Sequence, residues 1–99
     1  MNELTEKIKE WAFVRGLDTA DPNKQMLKLG EEFGELCSGM TKGNNDVVID
    51  SIGDMFVVLV VLSEQLNIDI QDCVQAAYDE IKDRRGEMKD GVFVKESDL

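Results

Sequence analysis

Residues 46–66 read DVVIDSIGDMFVVLVVLSEQL, and the fold turns on how this stretch is understood. Its centre, Met55–Leu62, is apolar at every position, so periodicity alone does not separate a buried strand from a buried helix. The flanks favour helix. Asp50 and Asp54 stand four residues apart, and Ser63-Glu64-Gln65 follows without a turn signal. A helix is therefore expected from Asn45 or Asp46 to about Leu66. A helix that is apolar all round needs cover on every side. Three partner helices in a chain of 99 residues fall short of that, so a second subunit is expected to cover part of it, as a dimer or higher oligomer.

Working outward, three more helical blocks appear. Before the central one, Asp21-Pro22 supplies a cap and a first-turn proline, and Met26, Leu27, Leu29, Phe33, Leu36, Cys37 and Met40 carry the pattern to the break at Gly43-Asn44-Asn45. Nearer the start, Leu4, Ile8, Trp11, Ala12 and Val14 recur at helical spacing, and Gly16 closes that block. Downstream, Asp69 is a plausible cap for a fourth helix running to about Arg85. Asp90-Gly91 signals a turn, Val92-Phe93-Val94 reads as one short strand, and the end from Lys95 is expected to fray. The reading is a single all-α domain over residues 1–99, four helices with a short C-terminal extended segment, in an oligomer.

Composition narrows the chemistry. Eleven Lys and Arg against 21 Asp and Glu give a net charge of −10, which argues against a broad nucleic-acid face. The absence of His excludes His-based triads and His-ligated zinc or di-iron sites. Cys37 and Cys73 are too few for a disulfide framework, and their helical settings suggest buried free thiols in a reducing compartment. The charged start MNELTEKIKEW has no apolar core of a signal peptide, and eight consecutive apolar residues are far fewer than the ~20 needed to span a bilayer. A cytoplasmic location without membrane attachment is expected.

The chemistry-bearing residues are Glu31-Glu32-Phe33-Gly34-Glu35 and Asp50-Ser51-Ile52-Gly53-Asp54. Residues three or four apart share a helix face, so Glu32 and Glu35 project together, as do Ser51 and Asp54, or Asp50 and Asp54. In an antiparallel hairpin turning between Gly43 and Asn44, ~1.5 Å of rise per residue puts Glu35, Glu32 and Asp54 roughly 13, 17 and 16 Å from the turn. Three carboxylates meeting at one height repel unless a cation neutralises them, and oxygen-only ligands suit Mg2+ or Mn2+. Asp54 interrupts an apolar stretch, so its burial would call for a partner. A solvated helix face is the competing account, especially for Glu31. Gly34 and Gly53, each beside a candidate ligand, suggest close helix approach or room for substrate.

KLGEEFGEL followed by DSIGDMFVVL resembles the MazG-type nucleotide pyrophosphohydrolases of the all-α NTP pyrophosphohydrolase superfamily. The family pattern is Glu-Glu-x-x-Glu on one helix and Glu-x-x-Asp on the next. Glu31, Glu32 and Glu35 match the first half and Asp54 ends the second, whereas Ser51 stands where the pattern has Glu, with Asp50 beside it. The likeness runs from about Trp11 to Arg85, and the tail EIKDRRGEMKDGVFVKE is similar to that of small phage-type members. The resemblance implies four helices, association as a homodimer or homotetramer, and cleavage of a nucleoside triphosphate into monophosphate and pyrophosphate. It implies Mg2+ (Mn2+ as substitute) held by Glu32, Glu35 and Asp54, with Asp50 as a further candidate ligand and Glu31 orienting the water. For substrate it suggests Lys28 and the pair Lys82 and Arg85 as phosphate contacts. Trp11 is a candidate to stack on a base, against the alternative of a core tryptophan, and Gln25 is a weaker candidate. A nucleotide sensor, or an acidic helical module that binds a protein partner, is the non-enzymatic alternative.

Overall fold

The computed structural model describes residues 2–99. The chain forms α1 (Asn2–Val14), a 3-10 turn (Leu17–Thr19), α2 (Pro22–Lys42), α3 (Asn45–Gln65), α4 (Ile70–Ile81), and a hairpin of β1 (Gly86–Lys89) and β2 (Val92–Lys95). Local chemistry sets the boundaries. Asp21 accepts from the Asn23 N–H at 2.9 Å with Pro22 in the first turn, Asn44 accepts from Val47, and Asp69 accepts from Gln71. Gly43 ends α2 in the left-handed conformation (φ 65°), where the Asn44 N–H reaches back to the Gly39 carbonyl at 2.9 Å.

The antiparallel pair α2–α3 is the most extensive packing in the molecule. Its approach is closest at Gly39, the one buried residue of α2, where an added Cβ would lie 2.9 Å from Val47 Cγ1 and 3.3 Å from Val48 Cγ2. Against α3 lie α1 and the 3-10 turn. The core is small-residued: Thr5 and Ala12 of α1 with Ser51, Val58, Val60, Val61 and Ser63 of α3. Two amides tie loops and helices to it, Gln25 donating to the Val58 carbonyl at 3.3 Å and Gln65 to the Leu17 carbonyl at 3.0 Å. Gln25 is thereby engaged in packing, whereas the sequence suggested a substrate contact.

A charged knot joins the first helix to the last. Lys9 Nζ lies 3.3 Å from Glu6, 3.7 Å from Glu64 and 3.3 Å from Asp69. Burial works against the Lys9 ammonium, but its hydrogen bonds to Glu6 and Asp69 and their charges outweigh that and raise its pKa. The Asp69 carboxyl is held below its ordinary range by the Gln71 N–H and by the Lys9 hydrogen bond and charge, which together outweigh burial.

Several expectations change. The fourth helix ends at Ile81, four residues short of Arg85, because the chain turns there (Arg84 N–H to the Ile81 carbonyl, 3.0 Å) to enter β1. The tail holds two strands, not one. They pair antiparallel, with Met88 opposite Phe93, around Asp90 and Gly91, both at positive φ as a two-residue hairpin turn requires. Nor does the end lack structure, since Glu96–Asp98 forms a 3-10 turn and the Glu96 N–H donates to the Arg85 carbonyl at 2.7 Å. Cys37 and Cys73 are free, as expected, but exposed where burial was expected. The helix faces that carry them are not covered within this chain.

That lack of cover is general. Ile49, Ile52 and Leu59 of the apolar α3 are exposed, and so are Val74, Tyr78 and Ile81 of α4. The radius of gyration is 16.3 Å, against about 12.6 Å for a compact chain of this length. The accessible surface is 7467 Å², roughly 1,800 Å² above what a monomer of 11.1 kDa ordinarily shows.

Two outcomes are expected. Gly39→Ala, which pushes a methyl into Val47, destabilises the fold by about 1–3 kcal/mol in urea unfolding. Gly34→Ala, at a helical position with nothing near its Cβ direction, stabilises it by about 0.5–1 kcal/mol. For the knot, Asp69 stabilises fully above its ordinary pKa of 3.8 and less as pH falls through its lowered value. Lys9 stabilises fully below 10.5 and less as pH rises through its raised value. Lys9→Met should lower the melting temperature at pH 7 by roughly 5 °C and remove the alkaline part of that profile.

Candidate active site

The hairpin register fixes what meets across α2 and α3. Gly39 against Val47 and Val48 sets it, and stepping back along α2 while advancing along α3 brings Glu32 level with Asp54 and Glu35 level with Ser51. The electrostatics agree. Glu32 has its pKa raised, first by burial, then by the charges of Glu35 and Asp54 and a hydrogen bond shared with Glu35, while Lys28 pulls it down. Its Oε2 is shut off from solvent and has no hydrogen-bond partner among the described residues. Glu32, Glu35, Asp54 and Lys28 thus form one group, the carboxylates like-charged and only partly balanced.

Glu31 and Asp50 are exposed, and neither is among the charges acting on Glu32. Asp54 is exposed too, where its apolar neighbours in sequence had suggested burial; Ile52 and Gly53 are exposed as well, so at this level of α3 little but Ser51 is covered. Ser51 is the buried member of its motif, 1% exposed. Nothing lies within 4 Å of a Cβ at Gly34 or Gly53, so close helix approach is not their role, and the tight glycine is Gly39 instead. Both leave open space beside the carboxylates.

Among the described residues no three acidic or thiol side chains converge closely enough to cage a cation as they stand. The donor set nevertheless fits a hard cation. It is all oxygen, it includes the enclosed, unpartnered Glu32 Oε2, and Glu35 and Asp54 are exposed side chains with room to turn.

One turn beyond Asp54 on α3, Val57 forms a wall of an apolar groove of about 390 Å³ whose other side is Leu4, Lys7, Ile8 and Trp11 of α1. Trp11 is 44% exposed and is not a core residue. The Arg15 guanidinium stacks 4.4 Å from the centre of its ring and donates to its carbonyl at 3.1 Å. Among the described residues Lys7, in the groove, is ion-paired only with Glu3, one turn earlier, at 3.6 Å.

A sequence model of the MazG nucleotide pyrophosphohydrolase domain matches residues 20–88, which include the Glu31–Glu35 and Asp50–Asp54 motifs. The chain belongs to the MazG family. The MazG domain here is also 28% identical over 87 residues to a phosphoribosyl-ATP pyrophosphatase of Bacillus mycoides (strain KBAB4), covering 88% of this chain and 73% of that protein. An uncharacterized 18.2 kDa protein in the rep-hol intergenic region of Haemophilus phage HP1 (strain HP1c1) is 51% identical over 70 residues, 70% of this chain. The match spans only 43% of the phage protein. No solved structure matches the chain.

The structure brings together Glu32, Glu35, Asp54 and Lys28, and sets Trp11 in the groove that Val57, one turn beyond Asp54, walls on the α3 side. Lys82 and Arg85 are not brought in: among the helices α4 packs to any extent only on α3, and its end is exposed. The sequence reading missed Lys7 and the groove. Leu4, Ile8 and Trp11 at i, i+4 and i+7 were visible as an apolar stripe, but such a stripe signals a core face as readily as an open one.

Because Glu35 raises the pKa of Glu32, neutralising it relieves repulsion. Glu35→Gln should raise the melting temperature in chelator by about 2 °C, and a fall would mean that the carboxylates are not in mutual repulsion.

Proposed function

We propose that this MazG domain is a nucleoside triphosphate pyrophosphohydrolase that converts an NTP or dNTP and water into the monophosphate and pyrophosphate. Water adds to the α-phosphorus, the bond from it to the bridging α–β oxygen breaks, and pyrophosphate leaves. The observation that carries this reading is the carboxylate group of Glu32, Glu35 and Asp54, charge-unbalanced and beside an apolar groove, in a chain of this family.

In this reading Glu32, Glu35 and Asp54 hold Mg2+ or Mn2+, with Asp50 as a further ligand if its side chain turns inward. The cation supplies positive charge against the triphosphate and Lewis acidity at its oxygens. Lys28, one turn from Glu32 on the same face, pairs with phosphate oxygens, whereas Lys82 and Arg85, which stand away from the carboxylates in this chain, are given no part in holding them. Glu31, exposed at the end of the motif, orients and deprotonates the water. Trp11 and its groove take the base, with apolar contact where a hydrogen-bonding site would read the base edge. The enzyme acts in the cytoplasm as a homodimer or homotetramer, which covers the exposed faces of α3 and α4; no helix of the described residues is long and apolar enough to cross a membrane.

The test is product analysis over a panel of NTPs and dNTPs with Mg2+ or Mn2+. Monophosphate and pyrophosphate should appear, and Glu35→Gln should slow their formation by ~100-fold or more. Diphosphate and phosphate as products, or no turnover with either metal, would overturn the reading. In a melting assay, Mg2+ should raise the melting temperature of the native chain and leave that of the Glu35→Gln variant unchanged.

Ser51 favours a second reading, nucleotide binding without rapid turnover. It faces the level of Glu35 with a short buried hydroxyl where the family pattern places a carboxylate. A nucleotide that raises the melting temperature over hours without giving product would select it.

A further inference from the structure

Two contacts mark the line along which α2 and α3 face one another. Gly39 meets Val47 near the turn, and the Gln25 amide donates to the Val58 carbonyl at 3.3 Å toward the other end. Between them, residues three or four apart keep to that line: Lys28, Glu32 and Glu35 on α2, Ser51 and Asp54 on α3. Five polar side chains thus share one seam, and only Ser51 is uncharged. Ser51 is also the enclosed member, 1% exposed, whereas Glu35 and Asp54 are exposed side chains.

What stands in that seam decides how firmly it grips a divalent cation. Affinity for a hard cation rises with the number of charged oxygen ligands and with their rigidity. Both are low here. Three carboxylates, Glu32, Glu35 and Asp54, and one ammonium, Lys28, together carry −2. The enclosed place in the seam bears a hydroxyl, which brings no charge. Glu35 and Asp54 give up side-chain freedom in closing on an ion, and Glu35 stands one turn from the level of Glu32 and Asp54. Mg2+ in such a site keeps waters, or takes phosphate oxygens, as its remaining ligands. A triphosphate meets the converse difficulty, since a group of −2 repels it unless a cation comes between.

We propose that Ser51 makes this site depend on both ligands at once. With a hydroxyl in its place, the carboxylates hold a divalent cation weakly by themselves and tightly only together with a triphosphate. Each ligand then raises the affinity for the other by the same factor, as linkage requires. This rests on the nucleotide reading above, and adds to it that the site takes its cation as the chelate of metal and triphosphate. Mg2+ without nucleotide accordingly raises the melting temperature only at millimolar concentration.

The test measures binding and needs no turnover. Mn2+, followed by the paramagnetic resonance signal of its free ion, is titrated alone into the native chain and into Ser51→Glu and Ser51→Ala variants. The native chain should bind it with a dissociation constant of about 1 mM or weaker. Ser51→Glu, which adds a charged oxygen to the seam, should bind it ~10-fold more tightly or better. Ser51→Ala should match the native chain. A native constant of ~0.1 mM or tighter overturns the proposal. So does a loss of affinity in Ser51→Ala, which would make the hydroxyl a ligand, and so does a folded Ser51→Glu chain that gains nothing. Circular dichroism checks that fold; if it is lost, the native and Ser51→Ala constants decide on their own.

The coupling is read from an α,β-methylene triphosphate in equilibrium dialysis. The native chain should retain it ~100-fold more tightly in Mn2+ than in chelator. Equal retention in the two conditions overturns the proposal. Retention in neither sinks the nucleotide reading, while the Mn2+ constants of the native and variant chains still decide the part played by Ser51.

Discussion

The contact of Gly39 with Val47 and Val48 is the constraint on which the rest depends. It lets α2 and α3 close tightly next to their turn, and it fixes the register in which one helix meets the other. That register sets Glu32 against Asp54, and with it the whole carboxylate group. A helix pair that met one residue out of step would rotate the facing side chains by about 100° and disperse the acids onto separate faces. The glycine nearest the turn therefore governs chemistry some two turns away.

Much of this was legible in the chain. Asp21-Pro22, Gly43 and Asp69 mark helix ends by conformational and capping chemistry that acts within a few residues, and the structure places those ends accordingly. Counting rise from the Gly43–Asn44 turn put Glu32, Glu35 and Asp54 near one height; the helix register sets Glu32 level with Asp54 and Glu35 one turn away, level with Ser51, and the charges of Glu35 and Asp54 both act on Glu32. What sequence did not disclose is which faces remain open. Trp11, Cys37, Cys73 and Asp54 were each judged by their neighbours in sequence, yet exposure depends on what packs opposite, and here little does. Gly39 was passed over because a helical glycine in sequence carries no sign of whether another helix lies against it. The second strand was missed because GEMK alone has little strand character. Its pairing with β2 is close at Gly86, where the Val94 carbonyl and the Phe93 ring crowd the place that a Cβ would take.

The same molecule is poorly optimised as an isolated chain. Its apolar residues are plentiful, but its buried core is mostly Val, Ala, Ser and Thr, and large side chains such as Phe33, Tyr78 and Phe93 stand in the open. Its acids are gathered where they oppose one another. Both features weaken the lone chain, the first by leaving apolar surface in water and the second by setting like charges against one another.

The short turn at Gly43–Asn44 bears on how the molecule reaches this state. Closing two helices across so small a loop loses little chain entropy, whereas bringing α1 to α3, or Lys9 to Asp69, closes loops of dozens of residues. The α2–α3 hairpin is thus the natural first structure in folding. Since Glu32, Glu35 and Asp54 belong to that hairpin, their repulsion opposes the earliest step: the acids act on the rate at which the native state forms as well as on its depth.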